Sequence, residues 1–384
     1  MLRKLLTQRL PTEMLLSTKG IEVNYTLAQL LKTVVDQGAS DLHVATGSAP
    51  RLRIDGQLLP LDLPPLEPNQ AMELCYSVLT EMQKKTFEQK KELDLAFSVK
   101  NVARFRANIY YEGNNIAGAF RLIPFKVYTI EELGLPPVMK DLAGLPRGLV
   151  LVTGPTGSGK STTLAAIIDY INSTRYDHIV TIEDPIEFLH SHKNCVINQR
   201  EVGEDTDSFA NALKSILRQD PDVVMVGELR DLETISMALT VAETGHLVFG
   251  TLHTNTCVSS LNRIIDVFPP HQQPQIRIQL SMTLEAVISQ LLVPSQKGGR
   301  VSAMEIMRTN NAIKALISEG KFNQIYSAMQ SGQADSNMQT MSQSLFHLAN
   351  RGFISKDLAL SKAPNQDELA DLFVRAFKPA GRAR

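Results

Sequence analysis

The stretch Gly154-Pro155-Thr156-Gly157-Ser158-Gly159-Lys160-Ser161 matches the pattern G-x-x-x-x-G-K-[ST] without a gap, and it strongly limits what can surround it. The run Leu149-Val150-Leu151-Val152-Thr153 ahead of it reads as a buried strand. Thr162-Thr163-Leu164-Ala165-Ala166-Ile167-Ile168 after it reads as a helix. In that order, the glycines let backbone N–H groups close around a phosphate, and the helix N-terminus adds its own attraction. Lys160 is then expected to reach the β- and γ-phosphates and the Ser161 hydroxyl to ligate Mg²⁺, with Thr162 beside them. These residues predict a chain that binds a nucleoside triphosphate.

A length of 384 residues suits two or three domains, and 43% hydrophobic residues suit real cores. The formal charge, 39 − 40 = −1, does not mark a general nucleic-acid binder, so no nucleic-acid partner is expected. Cys75, Cys195 and Cys257 are scattered and form no C-x-x-C pair, which fits a reducing compartment and argues against a cysteine zinc site. Residues 1–24 carry Arg3, Lys4, Arg9 and Lys19 among leucines. These charges and Pro11 interrupt any signal-peptide core, so this end is read as a frayed extension or a short amphipathic helix, and a cytoplasmic location is expected.

Residues 25–123 have a mixed pattern. A helical face (Leu27, Leu30, Leu31, Val34, Val35) leads into the alternating strands Asp41–Val44 and Arg51–Ile54, and Asp55-Gly56 supplies a hairpin turn. A second helix is expected near Gln70 to Glu88, followed by another hairpin. Residues 124–140, with Pro124, Gly134, Pro136 and Pro137, read as a linker. From 141 to 384 the pattern changes: Leu149–Thr153, His178–Ile182, Val223–Val226 and Leu247–Thr251 are apolar on both faces and alternate with helices. That pattern predicts an α/β domain, a parallel sheet with helices on both faces. Beyond Pro294 helical patterns dominate, including Ala312–Glu319 closed by Gly320, and the tail from Lys378 is expected to be loose.

Ligands of open α/β sheets lie beyond the carboxyl ends of the strands, and each of these four strands runs into polar residues there. The first delivers the phosphate loop, and the second ends in Glu183-Asp184-Pro185-Ile186-Glu187. The third ends in Gly227-Glu228, and the fourth has His246 before it and His253 after it. Hydrolysis of a γ-phosphate needs a positioned water, a metal and positive charge. Glu228 is the candidate for orienting the water or holding Mg²⁺ through its shell. Glu187 or Glu183 is the candidate general base, and Asp184 is placed for Mg²⁺-bound waters. Helix capping or solvation is the other reading of these acids. His246 and His253 are candidates to sense the γ-phosphate, or are structural histidines.

Two alternating runs, Arg104–Ile109 and Ile116–Leu122, predict a hairpin centred on Gly113-Asn114 with Arg106 opposite Arg121. Arg104, Arg106 and Arg121 then share one face, with Phe105, Ile109, Ile116 and Phe120 on the other. Like charges across a strand pair repel, so that face calls for an anion. The bound triphosphate is one candidate and surface acids are the other. An arginine against a transferring phosphoryl group is worth roughly 10³–10⁵ in rate.

Taken together, these residues resemble the secretion-superfamily ATPases, and within them the type IV pilus retraction ATPases. The similarity runs from about Tyr25 to Ile354. It includes Ser40-Asp41-Leu42-His43, Arg104-Phe105-Arg106 with Phe120-Arg121, the phosphate loop, and Thr181–Phe188 at the family's Asp box. Asp220-Pro221-Asp222 to Gly227-Glu228 falls at its Walker B region and Thr244–Thr254 at its His box. Assembly and secretion members usually carry a four-cysteine metal motif, which this chain lacks. The retraction members carry a late helix like A-I-R-N-L-I-R-E, matched by Ala312–Glu319 with Lys314 and Ser318 in place of its two arginines.

The resemblance implies a PAS-like domain over 25–123 and a RecA-like ATPase domain with C-terminal helices over 141–384. It also implies ATP with Mg²⁺ as cofactors and a homohexameric ring. The implied partner is the inner-membrane pilus platform protein, reached at the cytoplasmic face of the pilus machine. An accessory retraction or assembly-type motor is the nearest alternative. A DNA translocase and a regulatory nucleotide switch are alternatives of other classes.

Overall fold

The computed structural model describes residues 25–54, 56–100, 102–123, 126–331 and 337–377. The expected N-terminal extension, the tail from Lys378, Asp55 of the first turn and Pro124 lie outside the described residues. The chain divides into two compact units, Met1–Phe125 and Lys126–Arg384.

In the first unit, α1 (Leu27–Asp36) starts at Thr26, whose hydroxyl accepts from Gln29 N–H while the Gln29 side chain returns to Thr26 N–H. It buries Leu27, Leu30, Leu31 and Val34. Val35 is half exposed, because one residue past Val34 turns about 100° off that stripe. β1 (Asp41–Val44), β2 (Arg51–Ile54) and β3 (Gln57–Pro60) follow. The single helix expected over 70–88 is two, α2 (Pro68–Tyr76) and α3 (Glu81–Lys90). Thr80 and Gln83 form a reciprocal cap that starts α3 afresh. β4 (Glu92–Val99), β5 (Ala103–Glu112) and β6 (Asn115–Ile123) complete an antiparallel sheet of order β3-β2-β1-β6-β5-β4.

Gly113 and Asn114, both at positive φ (54° and 66°), make the two-residue β5–β6 turn. Arg106 pairs with Arg121 across it, as the alternation predicts. Phe105, Ile109, Ile116 and Phe120 point into the core of this unit.

The second unit holds the seven-stranded sheet and the later helices. The residues expected as linker pack into it from Ile130 onward: Ile130, Leu135, Val138 and Met139 belong to its core, the last two on α4 (Val138–Ala143). Prolines and a glycine loosen the local pattern, but the apolar residues between them are buried. β7 (Gly148–Thr153) leads through the glycine loop to α5 (Lys160–Thr174), and β8 (His178–Glu183) and β9 (Val196–Glu201) follow. Then come α6 (Phe209–Ile216), β10 (Val223–Val226), α7 (Leu232–Glu243), β11 (Leu247–Leu252), α8 (Cys257–Asp266) and α9 (Gln273–Thr283). β12 (Leu284–Pro294) and β13 (Arg300–Arg308) form an antiparallel pair, and β13 lies beyond Pro294, where helical patterns were expected to dominate.

The sheet order is β13-β12-β7-β11-β10-β8-β9, parallel except for the edge strand β13. Its side chains alternate between two cores. Leu149, Leu151, Val224 and Val248 face α6–α9, whereas Val150, Val152, Met225 and Phe249 face α4 and α5. α10 (Asn311–Glu319), closed by Gly320 at φ 72°, buries Ile313 and Ile317, and α11 (Ile325–Ser331) follows. α12 (Met341–Asn350), α13 (Lys356–Lys362) and α14 (Gln366–Phe377) cover the far end of β12 and β13 through Val293, Ala303, Leu345 and Phe373. The architecture is thus an antiparallel-sheet unit followed by a mostly parallel α/β unit with C-terminal helices.

Candidate functional site

Burial of both sheet faces leaves the strand ends as the place where polar side chains of the second unit can gather. After Thr153 the chain turns through Gly154, Gly157 and Gly159, at φ 144°, 77° and 88°, a region open to glycine. α5 then begins at Lys160. Its Nζ donates to the carbonyls of Gly154 and Pro155, at 2.9 and 3.2 Å. Burial lowers the Lys160 pKa, while Glu228 and Glu187 act to raise it. Among the described residues, Ser158 Oγ, inside the loop, is buried without a hydrogen-bond partner. A phosphate oxygen would satisfy such an atom. The donors present therefore fit a nucleotide phosphate.

The loop borders a cleft of about 430 Å³, large enough for a small-molecule ligand. Thr156, Gly157, Gly159, Lys160, Ser161 and Thr162 line one side. Asp184 and Glu187 come from the turn after β8, Glu228 from the end of β10, and His253 from the end of β11. The parallel register sets these ends side by side.

Glu228 is held from both sides. His253 Nε2 lies 3.4 Å from one carboxylate oxygen, and Arg230 pairs with the other. Burial would raise the Glu228 pKa, but Arg230, His253 and Lys160 outweigh it and hold the carboxyl below its ordinary value. His253 also reaches back: its Nδ1 is 3.4 Å from Thr156 Oγ1. It therefore spans the phosphate loop and Glu228.

Glu183 and Glu187, alternatives in the sequence, have different surroundings. Glu183 is buried and accepts from Thr181 Oγ1 (2.7 Å), Gln199 Nε2 (3.2 Å) and the Glu187 N–H (3.3 Å). Burial raises its pKa against those three bonds. It shapes the turn that carries Asp184 and Glu187, both exposed to the cleft.

His246, for which the sequence left both a sensing and a structural role open, is not among the residues lining the cleft. It precedes β11, whereas His253 follows it, so a six-residue strand separates the two histidines, about 20 Å at 3.3 Å per residue. His246 Nδ1 lies 3.0 Å from Val241 O and 3.1 Å from Thr244 Oγ1, in the turn that feeds the strand. These local contacts fit the structural alternative.

Arg104, Arg106 and Arg121 belong to the first unit. The anion next to Arg121 is Asp41, opposite it on β1: Arg121 Nε donates to Asp41 Oδ1 at 2.8 Å, and Arg53 lies 3.7 Å from Oδ2. Burial would raise the Asp41 pKa, but the Ser40 hydroxyl and Arg121 hold the carboxyl below its ordinary value. Arg106 is exposed on the same face.

Sequence reasoning missed Arg230 and Arg300, which line the cleft. Arg230 stands two residues from Glu228 and was there to be found. Arg300 opens a strand that the sequence pattern did not show. His190 also lines the cleft, with a pKa lowered to about 4 by burial. Gln199 on β9 grips the acidic turn: its amide donates to Phe188 O (2.8 Å) and accepts from His190 N–H (2.8 Å).

A family model described as type II/IV secretion system protein matches residues 18–352. The chain belongs to that family. This secretion-system family member is 52% identical over 337 residues to the type IV pilus retraction ATPase PilT of Pseudomonas aeruginosa, covering 88% of this chain and 98% of the relative. It is 40% identical to the type IV pilus ATPase PilU of the same organism, over 89% of each chain. A crystal structure of the pilus retraction motor PilT with bound ADP matches with a TM-score of 0.86 at 48% identity, over 91% of this chain and all of that one. Within the type II/IV secretion family, then, this chain is an ATPase of the pilus-retraction type. Among the described residues no helix is long and apolar enough to cross a membrane.

Proposed function

We propose that the chain is an Mg²⁺-dependent ATP hydrolase that works as a homohexamer in the cytoplasm. There, at the inner-membrane face of the pilus machine, it acts on the pilus platform protein and drives retraction. The observation that carries this reading is the convergence of Lys160, Ser161, Glu228 and His253 on one cleft at the carboxyl ends of neighbouring parallel strands. Closed rings form when identical head-to-tail contacts repeat, and such a ring suits a motor at the base of a helical filament. The greater similarity to the retraction relative than to the PilU relative favours a main over an accessory role.

In this reading the loop N–H groups and Lys160 bind the β- and γ-phosphates. Ser161 would hold Mg²⁺, with Asp184 and Glu228 acting through its waters. Among the described residues no set of three acidic, histidine or cysteine side chains is placed to hold a metal alone. That suits Mg²⁺, which usually keeps its waters and shares its shell with substrate phosphates. The metal would supply charge neutralisation on the phosphoryl oxygens. Glu228, kept ionised by its cationic neighbours, orients the attacking water, and Glu187 is the acid placed to accept its proton. Glu183 fixes the turn beneath them, and His253 links the phosphate loop to Glu228. Arg104 and Arg106 are proposed as the cations that offset γ-phosphate charge. Arg121 is held beside them by Asp41.

Glu228→Gln separates binding from chemistry. It should keep ADP affinity and lower kcat by about 10²–10⁴. Wild-type turnover in that variant would remove Glu228 from the reaction, and the same assay on Arg106→Ala tests the arginines.

A further inference from the structure

Gln290 lies on β12, outside every motif that marks the nucleotide site. It is 3% exposed, and both ends of its carboxamide are engaged. Nε2 donates to the Ser158 carbonyl at 2.7 Å, and Oε1 accepts from Thr163 Oγ1 at 2.8 Å. Its own backbone and side chain crowd the loop at two glycines. A Cβ on Gly154 would lie 2.3 Å from the Gln290 carbonyl oxygen, and one on Gly159 would lie 2.9 Å from Nε2. One residue of a neighbouring strand thus meets the loop at its first and last glycine and grips the peptide between Ser158 and Gly159.

We infer that Gln290 is a positioning residue that fixes the phosphate loop in the form that accepts nucleotide phosphates. The peptide unit is planar and trans, so drawing the Ser158 carbonyl toward β12 turns the Gly159 N–H the opposite way. Gly159 lines the cleft. The bond from Thr163, buried in the first turn of α5, locks the helix that follows to the same amide. The two bonds together hold the loop and the helix N-terminus in one register. Neither Ser158 O nor Thr163 Oγ1 has another hydrogen-bond partner shown among the described residues, so removing the amide strands both groups. The bound state would then have to supply the order that β12 supplies in the wild type. That cost falls on binding, because the groups that act on the water stand across the cleft.

This inference rests on the loop being the triphosphate site, so the experiment tests the two separately. A fluorescent ADP is titrated into the full chain as wild type, Gln290→Met, Thr163→Val, Thr163→Ser and Lys160→Ala, with steady-state ATP hydrolysis measured alongside. Gln290→Met keeps the volume and removes both bonds. It should raise Kd and KM about tenfold while kcat at saturating ATP changes by less than about threefold. Thr163→Val should weaken binding by about threefold to tenfold, and Thr163→Ser, which keeps the hydroxyl, should restore it. Folded Gln290→Met with wild-type Kd would overturn the proposal, as would a fall in kcat at unchanged Kd. If circular dichroism shows that Gln290→Met does not fold, equal affinities in Thr163→Val and Thr163→Ser would overturn it instead. Wild-type ADP affinity in Lys160→Ala would sink the triphosphate reading itself, whatever Gln290 does.

Discussion

In the first unit's antiparallel sheet, charge runs along a face: Arg106 and Arg121 sit across from one another, and Phe105 and Phe120 fill the other side. In the second unit's sheet, helices cover both faces, and the polar groups of the cleft gather where the strands stop. An antiparallel sheet can leave one side to water, and a parallel sheet built from crossovers cannot. The consequence is chemical. Charges spread along an open face find partners locally, as Arg121 finds Asp41. Charges confined to strand ends are brought together by the register of the strands, and there they make a cleft.

Position along a strand should therefore decide function in the second unit, and the two histidines flanking β11 give the sharpest contrast. His253→Ala should lower kcat by about tenfold to a hundredfold, because it loses the group between Thr156 and Glu228. His246→Ala should leave turnover within about twofold, since its bonds close a turn at the opposite end of the strand. Equal losses in the two variants would break the strand-end account.

In the first unit the expected effect is on stability. Asp41 is buried and accepts charge-assisted bonds, so Asp41→Asn should cost about 1–2 kcal/mol in denaturant unfolding, with little change in ADP affinity. The folded pKa of Asp41 is depressed, so its contribution is present above the ordinary value of 3.8 and is lost as pH falls through and below it. The gap between wild type and Asp41→Asn should accordingly narrow below about pH 4. A gap that widens on acidification would mean that Asp41 is not held ionised by Ser40 and Arg121.

Much of this was legible in the sequence, and the exceptions share a cause. The phosphate loop, the four strands around it and the Arg106–Arg121 pairing follow from local pattern, because glycine, alternation and apolar runs report on local backbone. β12 and β13 left no such mark. Leu284 ends α9 and begins β12 with no turn residue between them. β13 contains Ala303, Met304, Glu305 and Met307, residues at home in helices, and nine cross-strand pairs with β12 override that preference. Without those strands, Gln290 and Arg300 had no place in the site. His246 and His253 were equivalent as letters, and only the direction of β11 separates them. Glu183 and Glu187 were likewise equivalent until burial distinguished them.

The central claim is that the strand-end cleft of the second unit hydrolyses ATP to retract pili. The most direct measurement is a count of surface pili, with twitching motility, in the native bacterium carrying Lys160→Ala as its only copy of this chain. The account predicts accumulated pili and no twitching, with wild type restoring both. Normal pilus numbers and normal twitching in that strain would contradict it.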